Sequence, residues 1–88
     1  MNIDDAVNKY LLEIENIRRY SSNTIKAYRT DLNEFIFFCK QNDRQEIVKI
    51  SERFLKTYLM ALSDKDLDKR SITRKLAAIR SIFKFLFQ

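Results

Sequence analysis

Apolar residues along this 88-residue chain recur every three or four positions almost from its start. Ile3, Ala6, Val7, Tyr10, Leu11, Ile14 and Ile17 make one stripe, which predicts a helix from about residue 3 to 18. Its outer face mixes Asp4, Asp5, Lys9, Glu13 and Glu15, a solvated pattern that leaves the helix a packing role. Ser21, Ser22, Asn23 and Thr24 favour helix N-termini, so a second helix is expected from there to about Lys40. Ile25, Tyr28, Leu32, Phe35, Ile36 and Cys39 define its buried stripe, while Lys26, Ala27 and Thr30 face elsewhere. Phe37 and Phe38 fall off that stripe, and are either covered by neighbouring helices or form a contact surface for another domain or protomer.

The periodicity lapses between Gln41 and Ile50, a polar connection that Ile47, Val48 and Ile50 should anchor. Ser51 then fits the N-cap of a third helix, with Phe54, Leu55, Tyr58, Leu59 and Leu62 on its apolar side. Ser63 to Asp68 (SDKDLD) breaks this helix as an acidic loop. The last helix is expected over Lys69 to Gln88. At about 100° per residue, Ile72, Leu76, Ile79, Ile82, Phe83, Leu86 and Phe87 share one buried arc. Lys75 interrupts that arc, and only its stem should be covered. The opposite arc, through Arg80, Thr73, Lys84, Ala77, Arg70, Ser81 and Arg74, alternates long cations with small residues. Such a face suits a DNA groove, because small side chains permit close approach while Arg and Lys reach phosphates and base edges. A solvated basic face on an ordinary bundle helix is the plain alternative.

Four helices in this length predict an all-α fold, a small four-helix bundle forming a single domain over residues 1 to 88. The chain has no Gly and no Pro, which removes Gly-rich phosphate loops and most tight hairpin turns. It also has no His, so no Ser/His/Asp or Cys/His nucleophile can be assembled, and the lone Cys39 cannot supply a zinc site. No catalytic residue, metal or cofactor is expected here. Cys39, on the apolar side of its helix, reads as a core thiol in a reducing compartment. Without a membrane-length apolar run or a signal-peptide pattern, a cytoplasmic location is expected.

Charge changes the picture further. Residues 1 to 50 hold eight basic and eight acidic side chains, and residues 51 to 88 hold nine and four, so the excess of +5 lies in the second part. Lys69 to Gln88 contains six cations and no acid, and Asn16 to Thr30 is a second acid-free window with Arg18, Arg19, Lys26 and Arg29. Two separated basic segments suggest one surface assembled from two helices. The cap cluster at Ser21 to Thr24 has two readings as well: it satisfies the helix backbone, or it receives a DNA phosphate.

Two stretches, SSNTIKAYRTDLNEFIFFC (21 to 39) and RSITRKLAAIRSIFKFL (70 to 86), resemble the signature segments of the N-terminal core-binding domain of tyrosine recombinases, the Xer and phage-integrase type. With helix 1 and its Tyr10 and Leu11, the resemblance covers essentially the whole chain. The loop before helix 4 lacks the glycine often found in the family, and Ile82 stands where an aromatic is frequent.

The resemblance implies a SAM-like four-helix domain that clamps one face of duplex DNA, with helices 2 and 4 toward the major groove. Carried over by position, the implied contacts are Thr24, Lys26 and Ala27 on helix 2, with Arg70, Thr73, Arg74 and Arg80 on helix 4. The helical wheel adds Lys84 to that face. The family's catalytic set and nucleophilic Tyr belong to a C-terminal domain of the same parent protein, so Tyr10, Tyr20, Tyr28 and Tyr58 receive no catalytic role. The expected partners are double-stranded DNA, that catalytic domain, and other recombinase protomers in a synaptic complex. The rival functions are a helical protein-interaction module whose basic face meets an acidic partner, and a helix-turn-helix regulator. The latter fits poorly because Ser63 to Asp68 is long and acidic for the required turn.

Overall fold

The computed structural model describes residues 1 to 87. It contains α1 (Ile3–Asn16), α2 (Ser22–Gln41), a short 3-10 turn (Ile47–Lys49), α3 (Glu52–Asp64) and α4 (Lys69–Leu86). Gln88, the expected end of the last helix, lies outside the described residues.

Each helix begins where a short polar side chain can satisfy an orphan backbone N–H of the first turn. Asn2 accepts from the Asp5 amide at 2.9 Å, Ser21 from Thr24 at 3.2 Å, Ser51 from Phe54 at 3.1 Å, and Asp68 from Ser71 at 2.7 Å. The hydroxyls of Ser21 and Thr24 also bond each other at 2.8 Å, so the cap cluster is in part spent on the helix itself. The links between helices solve the absence of glycine with other residues. Arg19, Asp43 and Asp66 adopt positive φ of 53°, 55° and 60°, one in each connection between the α-helices. Asp66 thus supplies a left-handed turn in the loop before α4, which contains no glycine.

The core is built from the expected stripes. Tyr10, Ile14, Leu32, Phe35, Cys39, Tyr58, Leu62, Ile79 and Ile82 are all buried in one cluster. Phe35 meets Tyr58 edge-on, with ring centroids 5.1 Å apart, and Tyr10 meets Phe85 at 5.6 Å. Phe38 is covered, packing on Phe54 and Tyr58 at 5.3 and 4.9 Å, whereas Phe37 is exposed. Both rings line an open groove of about 700 Å³ between α2 and α3.

Several assignments are corrected. The buried line of α4 runs through Lys75, Ala78, Ile79 and Ile82; Leu76 is only half-buried and Phe87 is exposed. The helix is rotated toward Lys75 because that side chain is sealed against α2 by two carboxylates. Val48 does not anchor the connection, since it is 91% exposed, while Ile47 is buried. What anchors that segment is backbone pairing with the chain start: the Ile3 amide donates to Gln45 at 2.6 Å and the Ile47 amide to Met1 at 3.1 Å. Ile17 caps α1 in solvent rather than extending its core stripe. Ser63 and Asp64 still belong to α3, so the acidic loop is shorter than expected.

Candidate nucleic-acid interface

Apart from Lys75, α4 presents its cations on the side away from Ala78 and Ile82. Arg70, Thr73, Arg74, Ala77, Arg80 and Lys84 are all exposed, and Ser81 is half-buried. Positions 70, 73, 74, 77, 80, 81 and 84 follow the helical repeat, so the packing of the other side is what pushes them outward. Among the described residues, Arg70, Arg80 and Lys84 take part in no ion pair, and their charge is left uncompensated. On α2, Lys26 is exposed while Thr24 and Ala27 are half-buried.

Arg74 is different. Its Nε donates to Oδ2 of Asp31 at 2.8 Å and its Nη2 to Oδ1 at 3.0 Å, a two-pronged pairing across α2 and α4. Asp31 is completely buried, yet the Arg74 side chain keeps 44% of its surface in solvent. The hydrogen bonding it donates to Asp31 is the main reason the guanidinium sits above its ordinary pKa, with the carboxylate's field adding to it. Lys75 completes the cluster. Its Nζ donates to Oδ1 of Asp31 at 2.9 Å and also to Oε2 of Glu34. Burial pulls the ammonium pKa down, but the hydrogen bonds to Glu34 and Asp31 and the pull of both carboxylates outweigh it, leaving it raised. Lys75 is therefore a buried ion-pair partner, not a surface lysine with a covered stem.

Residues 7 to 88 match the family described as phage integrase, N-terminal SAM-like domain. The chain belongs to that family. The phage integrase N-terminal domain seen here is 31% identical over 84 residues to a tyrosine recombinase XerC from Roseiflexus sp. (strain RS-1), covering 96% of this chain and 27% of that protein. It is 38% identical over 76 residues to a tyrosine recombinase XerC from Lacticaseibacillus casei (strain BL23), covering 85% of this chain and 25% of the relative. A third XerC, from Leptospira interrogans serovar Lai, is 31% identical over 88 residues, with 99% and 28% covered. The chain thus spans about a quarter of the length of the curated relatives it matches. No solved structure matches it significantly.

Within this SAM-like domain, Asp31 is the site residue that sequence reasoning passed over. A signal for it existed: Asp31 is an acid beside the apolar stripe of α2, and Lys75 is a base inside the apolar stripe of α4. Opposite charges interrupting two stripes that pack together point to a shared buried pair. Among the described residues no cluster of His, Cys, Asp and Glu could hold a metal ion, and no helix is long and apolar enough to cross a membrane.

Proposed function

We propose that this chain is the non-catalytic DNA-binding domain of a cytoplasmic tyrosine recombinase, holding one half-site of duplex DNA through α4 and the start of α2. The observation that supports this reading best is the outward face of α4, where Arg70, Arg80 and Lys84 stand exposed around the small residues Thr73 and Ala77 and, among the described residues, without an ion pair. Cations gathered on one face attract a polyanion, and the small residues between leave room for a sugar-phosphate backbone. Thr24, Lys26 and Ala27 extend the same surface onto α2, with Asp31 tying the two helices together. Strand cleavage and rejoining fall to a C-terminal catalytic domain of the parent protein, and further protomers complete the synaptic complex.

The test is a salt titration of duplex binding by the 88-residue chain. A domain that supplies one arm of a clamp binds at about micromolar strength or weaker. Three to four phosphate contacts would give a slope of roughly −2.7 to −3.6 in log K against log salt. A flat salt response, or no binding to duplex at low salt, would favour a protein partner instead.

A further inference from the structure

Arg74 combines two properties that its neighbours on α4 do not share: it is held by a buried carboxylate, and much of it remains in solvent. A guanidinium carries five N–H donors in a rigid plane. Asp31 takes one on Nε and one on Nη2, which leaves three donors along the other edge. Holding the group by one edge removes the rotational freedom an arginine normally loses when it meets a phosphate. The location suits such a contact, because Arg74 lies one turn from Arg70, beside Thr73, and one turn before the exposed Ala77. Lys75 divides its ammonium between Asp31 and Glu34, so Arg74 completes a cluster of two carboxylates and two cations, and it does so while keeping much of its own surface in solvent.

We infer that Asp31 is a positioning residue for DNA binding, fixing Arg74 so that the free edge of its guanidinium meets a backbone phosphate; this rests on the DNA-binding reading above. The chemistry is carboxylate to guanidinium to phosphate, with Asp31 touching no DNA. A carboxylate under a DNA-binding face repels phosphate at long range, so its benefit must come from orientation. That opposition of signs makes the inference testable.

Duplex binding is measured by fluorescence anisotropy across a salt series for the unmodified chain and for Asp31→Asn, Arg74→Lys, Arg74→Ala and the double variant Asp31→Asn/Arg74→Ala. Circular dichroism and denaturation select conditions under which each is folded. Removing a negative charge should tighten binding on electrostatic grounds alone, whereas the inference expects Asp31→Asn to weaken it by about threefold to tenfold. In the Arg74→Ala background the same change should leave affinity equal or tighter, because the group it orients is gone. Arg74→Lys keeps the charge but not the fork, and should lose nearly as much as Arg74→Ala. Tighter or unchanged binding by Asp31→Asn, or the same loss with and without Arg74, overturns the inference. If Asp31→Asn does not fold, Arg74→Lys decides: wild-type affinity there overturns it. Arg70→Ala and Arg80→Ala separate the two levels. Weakening by these, with no Asp31 effect, leaves DNA binding standing and removes the positioning role; absence of any duplex binding removes both.

Discussion

The ammonium of Lys75 lies 2.9 Å from the Asp31 carboxylate, with the two side chains 7% and 0% exposed, so α2 and α4 are joined by a salt bridge inside the core. Removing one partner of a buried pair leaves an uncompensated charge and costs about 3 to 5 kcal/mol. Lys75→Ala should approach that range, because it also deletes the stem that fills space between the helices. Lys75→Met keeps most of the volume, and Arg74 still pairs with Asp31, so its loss should be smaller. Urea denaturation of both variants checks the order.

Core position, not residue type, should separate Phe35 from Leu76. Phe35 is fully buried between Phe54 and Tyr58, so Phe35→Ala is expected to cost about 3 to 5 kcal/mol. Leu76 is half-buried, and Leu76→Ala should fall below the roughly 2 kcal/mol at which fully buried leucine losses begin. Denaturation midpoints at matched slope would reveal it; equal losses would mean that α4 packs on its Leu76 side after all.

Alkaline pH should destabilise the domain through its buried thiol and phenols. Burial pushes the Cys39 thiol up to about 12 and raises the phenols of Tyr58 and Tyr10 above their ordinary range. These groups hold their protons more tightly when folded, so their contribution is complete below about pH 8.5 and falls as pH rises from there through the folded values. The raised ammonium of Lys75 acts in the same direction, since its salt bridges are lost when it deprotonates. Stability measured against pH should therefore decline from about pH 8.5 upward, and Cys39→Ala should flatten the first part of that decline.

Arg19→Gly should stabilise the chain. Arg19 sits at φ 53° where α1 ends, and the Tyr20 amide reaches back to Ile14 at 2.9 Å. A side chain with a Cβ pays for that left-handed geometry, by roughly 1 kcal/mol relative to glycine. Asp66→Gly should gain less, because aspartate tolerates the region better. Thermal melting resolves both; a loss at Arg19 would show that its side chain contributes more than its backbone costs.

Arg80→Ala and Lys84→Ala should weaken duplex binding while leaving stability within about 0.5 kcal/mol, since both residues are exposed and, among the described residues, unpaired. Parallel anisotropy and denaturation measurements distinguish this from Lys75, whose loss is expected to act through folding.

The apolar repeat by itself determined four helices, their caps at Ser51 and near Ser21, and the core membership of Tyr10, Phe35, Leu62 and Ile82. It also set Arg70, Thr73, Arg80 and Lys84 on one outward face. All of these follow from local rules: a period of 3.6 residues groups side chains on a face, and a polar residue before an apolar run satisfies free amides. Tertiary structure decided which neighbour each face meets. The period leaves the rotation of α4 uncertain by about one residue, and it is the contact with α2 that turns Lys75 and Ala78 inward and Leu76 and Phe87 toward solvent. Phe38 is covered and Phe37 exposed for a similar reason, since α3 brings Phe54 and Tyr58 to only one of them. The pairing of Met1 and Ile3 with the segment at Gln45 and Ile47, and of Asp31 with residues 43 and 44 positions away, carries no local periodic signal. Such contacts exist only once folding has closed the intervening chain, and a buried charge becomes favourable only when its partner is already in place.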